Sequence, residues 1–207
     1  NLPNNLFSLT LYCDKLTYPI DNLPLNLQSL SFHVNKLNEP NILLPNKLTL
    51  LSISNLTDNQ YNSLIDNCPQ KLTYLNICAN ITCNYQFNKL PLSLHNLSFS
   101  STIINQSLDN LPINLRKLDI TSNEINQSLG ILPNSLRELY VQCDMFDVPI
   151  DNLPKDLSKL TILSFHFKHS LNRLPRKLNS LTLNHSYDKE INNLPESLGC
   201  IKKSEYW

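Results

Sequence analysis

Two histidines, His166 and His169, are separated by a spacing that protein metal sites use. A zinc-type site needs about four ligands from cysteine, histidine or carboxylate side chains. No cysteine or carboxylate lies close enough in sequence to complete such a set around this pair. We therefore interpret both histidines as solvated side chains on a loop, and we expect no metal site.

The six cysteines could form disulfides or remain as free thiols. Cys13 and Cys143 each follow a proline by ten residues, and Cys68 replaces the leucine of a Leu-Pro dipeptide. These three positions suit small buried residues. The other cysteines, Cys78, Cys83 and Cys200, follow no pattern that indicates disulfide pairing. The distribution predicts free thiols in a reducing compartment.

No residue set in the sequence indicates catalysis. No nucleophile is paired with a base, and the two glycines of the chain cannot build a phosphate-binding loop. We expect no catalytic residue, no cofactor and no enzymatic activity. The charges balance, with 17 basic and 17 acidic side chains, which argues against a nucleic-acid or anionic-membrane partner. No apolar run approaches the ~20 residues of a membrane span.

The same pattern recurs about every 21 residues along the whole chain. A proline, preceded by leucine in every case except Cys68-Pro69, is followed by apolar residues three, six and eight places later in nine of the ten units. In the tenth unit, Lys203 occupies the last of these places. Asparagine, aspartate or threonine often comes eleven places after the proline, and an apolar residue at thirteen. The consensus L-x-x-L-x-L-x-x-N-x-L is the signature of leucine-rich repeats. The prolines lie at 3, 24, 45, 69, 91, 112, 133, 154, 175 and 195.

Alternation within x-L-x-L-x predicts a short strand that buries two side chains. The residue at eleven is expected to cap backbone groups where the chain leaves the strand. The fold class is thus a β-rich repeat solenoid, a leucine-rich-repeat-like arc with about nine short parallel strands on its concave face. We expect one domain over residues 1–207. Its repeats start near residues 2, 23, 44, 68, 90, 111, 132, 153 and 174, and a truncated cap occupies 194–207.

The segments that return from one strand to the next are predicted to be extended or turn-like, with little helix. About ten residues remain for each return, and prolines at 19, 40 and 149 exclude a regular helix there. The third unit is longer, and Asp58 could cap a helical turn that carries Tyr61, Leu64 and Ile65. This insertion is either a tolerated feature of the convex side or a bulge that bends the solenoid or contacts a partner.

The second half of each unit narrows the comparison. Residues 145–150 read Met-Phe-Asp-Val-Pro-Ile, and related segments occupy 16–20, 104–108 and 125–129. These segments resemble the FNIP repeat, a leucine-rich-repeat variant common in social amoebae and in giant viruses of amoebae. In many members an F-box precedes the repeats, so that the F-box docks a ubiquitin ligase while the repeats hold the substrate. No F-box-like segment is visible in this chain, so the resemblance implies that function by analogy only.

The outward strand positions fall five, seven and nine places after each proline, and most carry small hydroxylated residues. The strongest candidate for a binding site is a tyrosine surrounded by charges on three adjacent strands, which suits a binding anchor. Alternatively, these charges form a ladder of opposite signs that only supports the sheet. A second, smaller and apolar patch is expected from Leu50, Tyr74 and Cys78. The candidate partner-binding residues are Lys117, Asp119, Thr121, Glu138, Tyr140, Gln142 and Lys159.

The leading hypothesis is a non-enzymatic scaffold that binds another protein on its concave face, inside the cell. By the FNIP resemblance, it would be the substrate-recognition part of an F-box ubiquitin-ligase adaptor, with the ligase machinery as a further partner. It would lie in the cytoplasm, or in the host cytoplasm if the gene is viral. The alternative hypothesis is an extracellular, receptor-like recognition domain.

Overall fold

The computed structural model describes residues 2–16, 22–37, 43–79, 87–105, 107–125 and 127–204. Within these ranges ten strands form one sheet in which every strand pairs in parallel with the next along the chain. They are β1 Ser8–Leu16, β2 Ser29–Leu37, β3 Leu50–Ser54, β4 Tyr74–Cys78, β5 Asn96–Ile104, β6 Lys117–Ile125, β7 Glu138–Cys143, β8 Lys159–Leu163, β9 Ser180–Asn184 and β10 Cys200–Ser204. The predicted β-rich solenoid is therefore confirmed, and the tenth strand lies in the segment expected to form the cap.

The repeated proline closes a turn at the start of every unit. In all ten units the proline carbonyl accepts a hydrogen bond from the N–H of the residue three places later, at 3.0–3.1 Å. That residue is a leucine, and the turn points it under the sheet: Leu115, Leu136 and Leu157 are fully buried. Proline is the first residue of this turn, so its fixed φ restricts how the chain enters the turn.

The inward strand positions stack in register from one unit to the next. Leu118 lies between Leu97 and Leu139, and Ile120 lies between Phe99 and Val141. All of these side chains are buried. The predicted spacing of three, six and eight residues therefore marks the core.

The first and last of the described strands differ from those between them. Leu9 and Leu11 of β1 are partly buried, since among the described residues β1 pairs with β2 alone. In β10, Ile201 is 47% exposed, and Lys203 occupies the third apolar position of the repeat. The Lys203 amine donates to the Tyr187 carbonyl at 2.8 Å, so a charged side chain takes a place that is apolar in the other units.

The residue that satisfies backbone groups after the strand is not the one predicted. Asn35, eleven places after its proline, is exposed and donates to the Asp14 carboxylate at 3.0 Å. One place earlier in a later unit, buried Ser122 donates to the Thr102 and Glu124 carbonyls. The correction follows from strand length: the strand continues past the expected turn, so side-chain alternation turns position ten inward and position eleven outward.

Where the structure describes them, the returns contain little helix, as predicted. A 3-10 turn spans Phe87–Lys89, and the long third unit forms a helix, α1, at Asp58–Asp66. Its cap is Thr57 and not Asp58, because the Thr57 hydroxyl accepts from the Gln60 N–H while the Gln60 side chain accepts from the Thr57 N–H.

One face of α1 closes the core over the long unit. Tyr61, Leu64 and Ile65 are at most 3% exposed. The inserted residues therefore form part of the core. No helix in the described ranges is long and apolar enough to cross a bilayer.

Aromatic rings fill the returns of the C-terminal units. Phe146 and Phe167 stack with their centroids 5.7 Å apart, and Phe167 stacks on Tyr187 at 5.8 Å. Ile104 and Ile125 occupy the equivalent place in earlier units and are also buried. Pro149 lies in a return without helix or strand, as predicted, whereas residues 17–21 and 38–42, with the other two return prolines, lie outside the described residues.

Truncating an inward side chain should destabilise the solenoid far more than truncating an outward one. We expect Leu118→Ala to lower the free energy of unfolding by ~2–5 kcal/mol, because it leaves a cavity between two neighbouring leucines. Ser98→Ala, at a half-exposed outward position, should change it by less than ~0.5 kcal/mol. Urea denaturation followed by circular dichroism measures both, and equal losses would contradict the assigned sides of the sheet.

Candidate protein-binding surface

All seven candidate residues lie together on β6, β7 and β8. In the sheet Lys117 is paired with Glu138 and Glu138 with Lys159, while Asp119 is paired with Tyr140 and Thr121 with Gln142. Their side chains line one open depression of about 410 Å³, together with Ser98, Leu139 and Thr161. We call this set of seven residues the Tyr140 surface; that it binds a partner remains a prediction.

The charges of the Tyr140 surface are paired, although not in the expected ladder. Lys159 contacts Glu138 at 2.8 Å across the strands. Lys117 instead contacts Asp119, two residues along its own strand, at 3.0 Å. The hydrogen bond that Lys117 donates to Asp119 is the largest cause that raises the pKa of Lys117, with smaller contributions from the charges of Asp119 and Glu138 and with burial opposing them.

These ion pairs contribute little to stability. The Lys159 and Glu138 side chains are 56% and 36% exposed, and pairs of this kind are worth only about 0–1 kcal/mol. Their main effect is to hold the charged groups in fixed places around the tyrosine. The alternative interpretation, a ladder of charges that supports the sheet, therefore explains only the ion pair between Glu138 and Lys159.

Tyr140 occupies the centre of the surface on the middle strand. Its hydroxyl donates to Gln142 Oε1 at 2.7 Å, which fixes the orientation of the ring tip. Burial raises the pKa of Tyr140, and the charge of Asp119 raises it further, so the phenol stays protonated at neutral pH. A half-buried ring with an oriented hydroxyl offers both apolar contact and hydrogen bonding to a partner.

The residues nine places after each proline were predicted to face outward, and this prediction is wrong at the C-terminal strands. Leu163 and Asn184 were expected to face outward, but they are 8% and 3% exposed. β8 and β9 end at these residues, so the backbone turns there and the alternation stops. The Tyr140 surface consequently ends at Gln142 in that row.

The second predicted patch lies on β3 and β4. Leu50 is paired with Tyr74, and all three of its residues are half-buried. The Cys78 sulfur accepts a hydrogen bond from Ser100 at 3.0 Å. The small polar side chains of β5 separate this patch from the Tyr140 surface.

An exposed aromatic pair at the other end of the sheet escaped the sequence reasoning. Tyr12 and His33, partners in register on β1 and β2, stack with their centroids 4.6 Å apart. Tyr12 is 76% exposed. The signal was present, because both residues occupy position nine of consecutive units, but each position was considered alone.

The residues first considered for chemistry have structural contacts. His166 Nδ1 lies 2.8 Å from the Asp144 carbonyl, and His169 Nε2 lies 2.9 Å from the Asp147 carbonyl. Both rings therefore contact the previous return. His166 is exposed and His169 is half-buried, so both lie at the surface of a loop, as the sequence suggested. Cys13, Cys68, Cys78, Cys143 and Cys200 are free, while Cys83 lies outside the described residues. Cys68 and Cys143 are buried as expected, but Cys13 is exposed, because among the described strands β1 pairs with β2 alone.

Two solved structures are similar to the chain over almost its whole length. YopM from Yersinia enterocolitica WA-314 is 27% identical with a TM-score of 0.65, covering 99% of this chain and 43% of YopM. The circular leucine-rich-repeat protein CroV588 is 24% identical with a TM-score of 0.57, covering 97% and 40%. No protein-family model and no curated protein matches the chain.

The fold and these neighbours define the class: the chain is a leucine-rich-repeat solenoid. It spans less than half of either neighbour's length. The similarity therefore supports the architecture, and any partner or activity of the chain is a matter for proposal.

Proposed function

We propose that the chain is a non-enzymatic scaffold that binds another protein through the Tyr140 surface. The observation that carries this proposal is the clustering of all seven residues around one open depression with an oriented tyrosine at its centre. Small polar side chains of β5 and β9 lie on either side of it, so Tyr140 is the large anchor residue in this part of the sheet. Parallel repeat sheets commonly present such extended surfaces to partners.

The scaffold proposal predicts that a double change on the surface abolishes partner binding and leaves the fold intact. Tyr140→Ala with Glu138→Lys removes the anchor and inverts one charge. We expect affinity for a partner captured from the native cell and then purified to fall by at least about tenfold. Biolayer interferometry measures the affinity, and thermal unfolding checks the fold.

A matched control carries the same two kinds of substitution away from the surface. Tyr12→Ala with Glu190→Lys changes an exposed tyrosine and an exposed glutamate elsewhere on the solenoid. This variant should bind the partner as the unchanged protein does. Unchanged binding by the Tyr140 variant would remove that surface from the mechanism.

We further propose that the chain is the substrate-recognition part of an F-box ubiquitin-ligase adaptor, because its returns resemble FNIP repeats. The adaptor function predicts an F-box in the reading frame ahead of Asn1. It also predicts that ubiquitin-ligase subunits co-purify with the full gene product in affinity purification and mass spectrometry. A full gene product that lacks both would contradict the adaptor function without affecting the scaffold proposal.

We place the protein in the cytoplasm, or in the host cytoplasm if the gene is viral. The free cysteines favour this location over an extracellular receptor-like domain. Cys68 and Cys143 lie in the core, and burial raises their pKa values to about 12 and about 11. Such thiols are packed as small apolar residues and are not exposed for bridging.

Thiol labelling distinguishes the two locations. In denaturant without reductant, all six cysteines of protein isolated from its native cell should react with a maleimide. In the native state exposed Cys13 should react readily, whereas Cys68 and Cys143 should react slowly, because the thiolate is the reactive form. Intact-mass spectrometry with peptide mapping gives both results. Fewer than six labels in denaturant, with glycans present, would support the extracellular alternative.

A further inference from the structure

Exposed cations accumulate along one edge of the C-terminal half of the solenoid, where the proline turns lead into the strands. Four consecutive units contribute to this edge, although the whole chain has no net charge. Among the described residues one carboxylate, Asp156, lies within it. Two more lie at its margins: Asp151 beside Arg173, and exposed Glu196, which follows Pro195 as Arg176 follows Pro175. We call the following six exposed residues the basic edge: Arg116, Arg137, Lys155, Arg173, Arg176 and Lys177.

Like charges occupy equivalent positions of consecutive units on this edge. Arg116 and Arg137 both lie four places after a proline, and the Arg137 N–H donates to the Arg116 carbonyl at 2.8 Å. Lys155 and Arg176 both lie one place after a proline. Like charges on facing positions destabilise a sheet. In the adjacent row Lys117, Glu138 and Lys159 alternate in sign, so the fold does not force this repulsion.

Asp156 shows how the basic edge holds a carboxylate. Its Oδ2 lies 3.2 Å from Arg137 Nη2, and its Oδ1 lies 2.6 Å from Lys177 Nζ. The hydrogen bond and charge of Lys177, followed by the charge of Arg137, lower the pKa of Asp156. A single carboxylate is thus bound by cations from two different units.

Four cations of the basic edge are left without such a partner. Within the part of the chain that the structure describes, no carboxylate forms an ion pair with Arg116, Lys155, Arg173 or Arg176. Their charge is therefore available to a group from outside the chain. Arginine guanidinium groups in particular match the two oxygens of a carboxylate.

We infer that the basic edge binds an extended, Asp- and Glu-rich segment of a partner protein. Neighbouring units are ~4.8 Å apart, so four of them span roughly 15 Å, the length of about five extended residues. The Asp156 contacts provide the geometry for one carboxylate, and an acidic segment would supply further ones. An acidic peptide fits better than a nucleic acid, because the six residues include no aromatic ring on which bases could stack. The inference does not depend on the Tyr140 surface.

Fluorescence anisotropy with a labelled glutamate-rich peptide tests the inference on the intact chain. A peptide of about twelve residues is long enough to cover the edge, and the same peptide with glutamine in place of glutamate should not bind. Arg173→Gln with Arg176→Gln should weaken binding roughly three- to tenfold, as expected for two exposed ion pairs. Raising the salt from about 0.05 M to about 0.5 M should weaken binding by the unchanged protein.

Two further variants make the outcome specific. Lys168→Gln with Lys189→Gln removes the same charge from exposed positions on the returns, and it should bind as the unchanged protein does. Tyr140→Ala should also retain peptide binding, which separates this test from that of the scaffold proposal. Thermal unfolding confirms that each variant is folded.

Several results would overturn the inference. Equal weakening by both lysine and arginine pairs would mean non-specific attraction, and loss of binding in Tyr140→Ala would place the peptide elsewhere. Tighter binding of a single-stranded RNA of equal length would assign the edge to nucleic acid. No binding of the glutamate-rich peptide at low salt would remove the site altogether.

Discussion

Every other feature of the solenoid depends on the mutual covering of the leucine columns of consecutive units. A unit offers about six apolar side chains, each worth ~1.5–3 kcal/mol when fully buried, which alone does not offset the entropy of ordering about 21 residues. Leu118 is fully buried because Leu97 and Leu139 lie on either side of it. At β1, which pairs only with β2 among the described residues, the same positions are only partly buried. Stability therefore belongs to the stack and not to any one unit.

The turns that align the columns use asparagine where many proteins use glycine. Asn22, Asn110 and Asn193 have φ values of 63°, 67° and 56°, each two places before the repeat proline. Asparagine tolerates this left-handed conformation better than most residues. Gly130, three places before Pro133, also has a positive φ, 65°, and a side chain would not fit there, because its Cβ atom would meet the Ser107 hydroxyl and the Asp109 carboxylate. Asp109 in turn accepts the Ile131 N–H at 2.6 Å, which lowers its pKa and ties two units together.

The sequence was sufficient for those features that follow from a strict period. The proline turn fixes where each strand begins, and alternation then decides which side chains face inward, so the core and the membership of the Tyr140 surface were predictable. The ends of the strands were not, because their lengths vary from five to nine residues without a sequence signal. That variation turned Leu163 inward.

Side-chain partners were less predictable still. Lys117 lies opposite Glu138 in the sheet, yet it contacts Asp119 on its own strand. A long flexible side chain can reach several carboxylates, and the period does not choose among them. In the same way, both Thr57 and Asp58 are good helix caps, and the choice between them depends on the reach of the Gln60 side chain. Such outcomes depend on local geometry that only coordinates supply.

Because the inward positions carry the stability, the outward rows are free to arrange charge in two different ways. On the Tyr140 surface the charges are paired and nearly cancel, so recognition there would rest on shape, the tyrosine ring and oriented hydrogen bonds, with little dependence on salt. On the basic edge the charges add, so attraction there would be long-ranged, salt-dependent and weakly selective. A partner that met both would first be drawn to the edge by its charge and then held by its fit to the sheet. A repeat architecture permits these two charge arrangements side by side. The outward side chains of neighbouring rows are attached to the same strands and turns, but they are not packed in the core, so each row can change without disturbing the other.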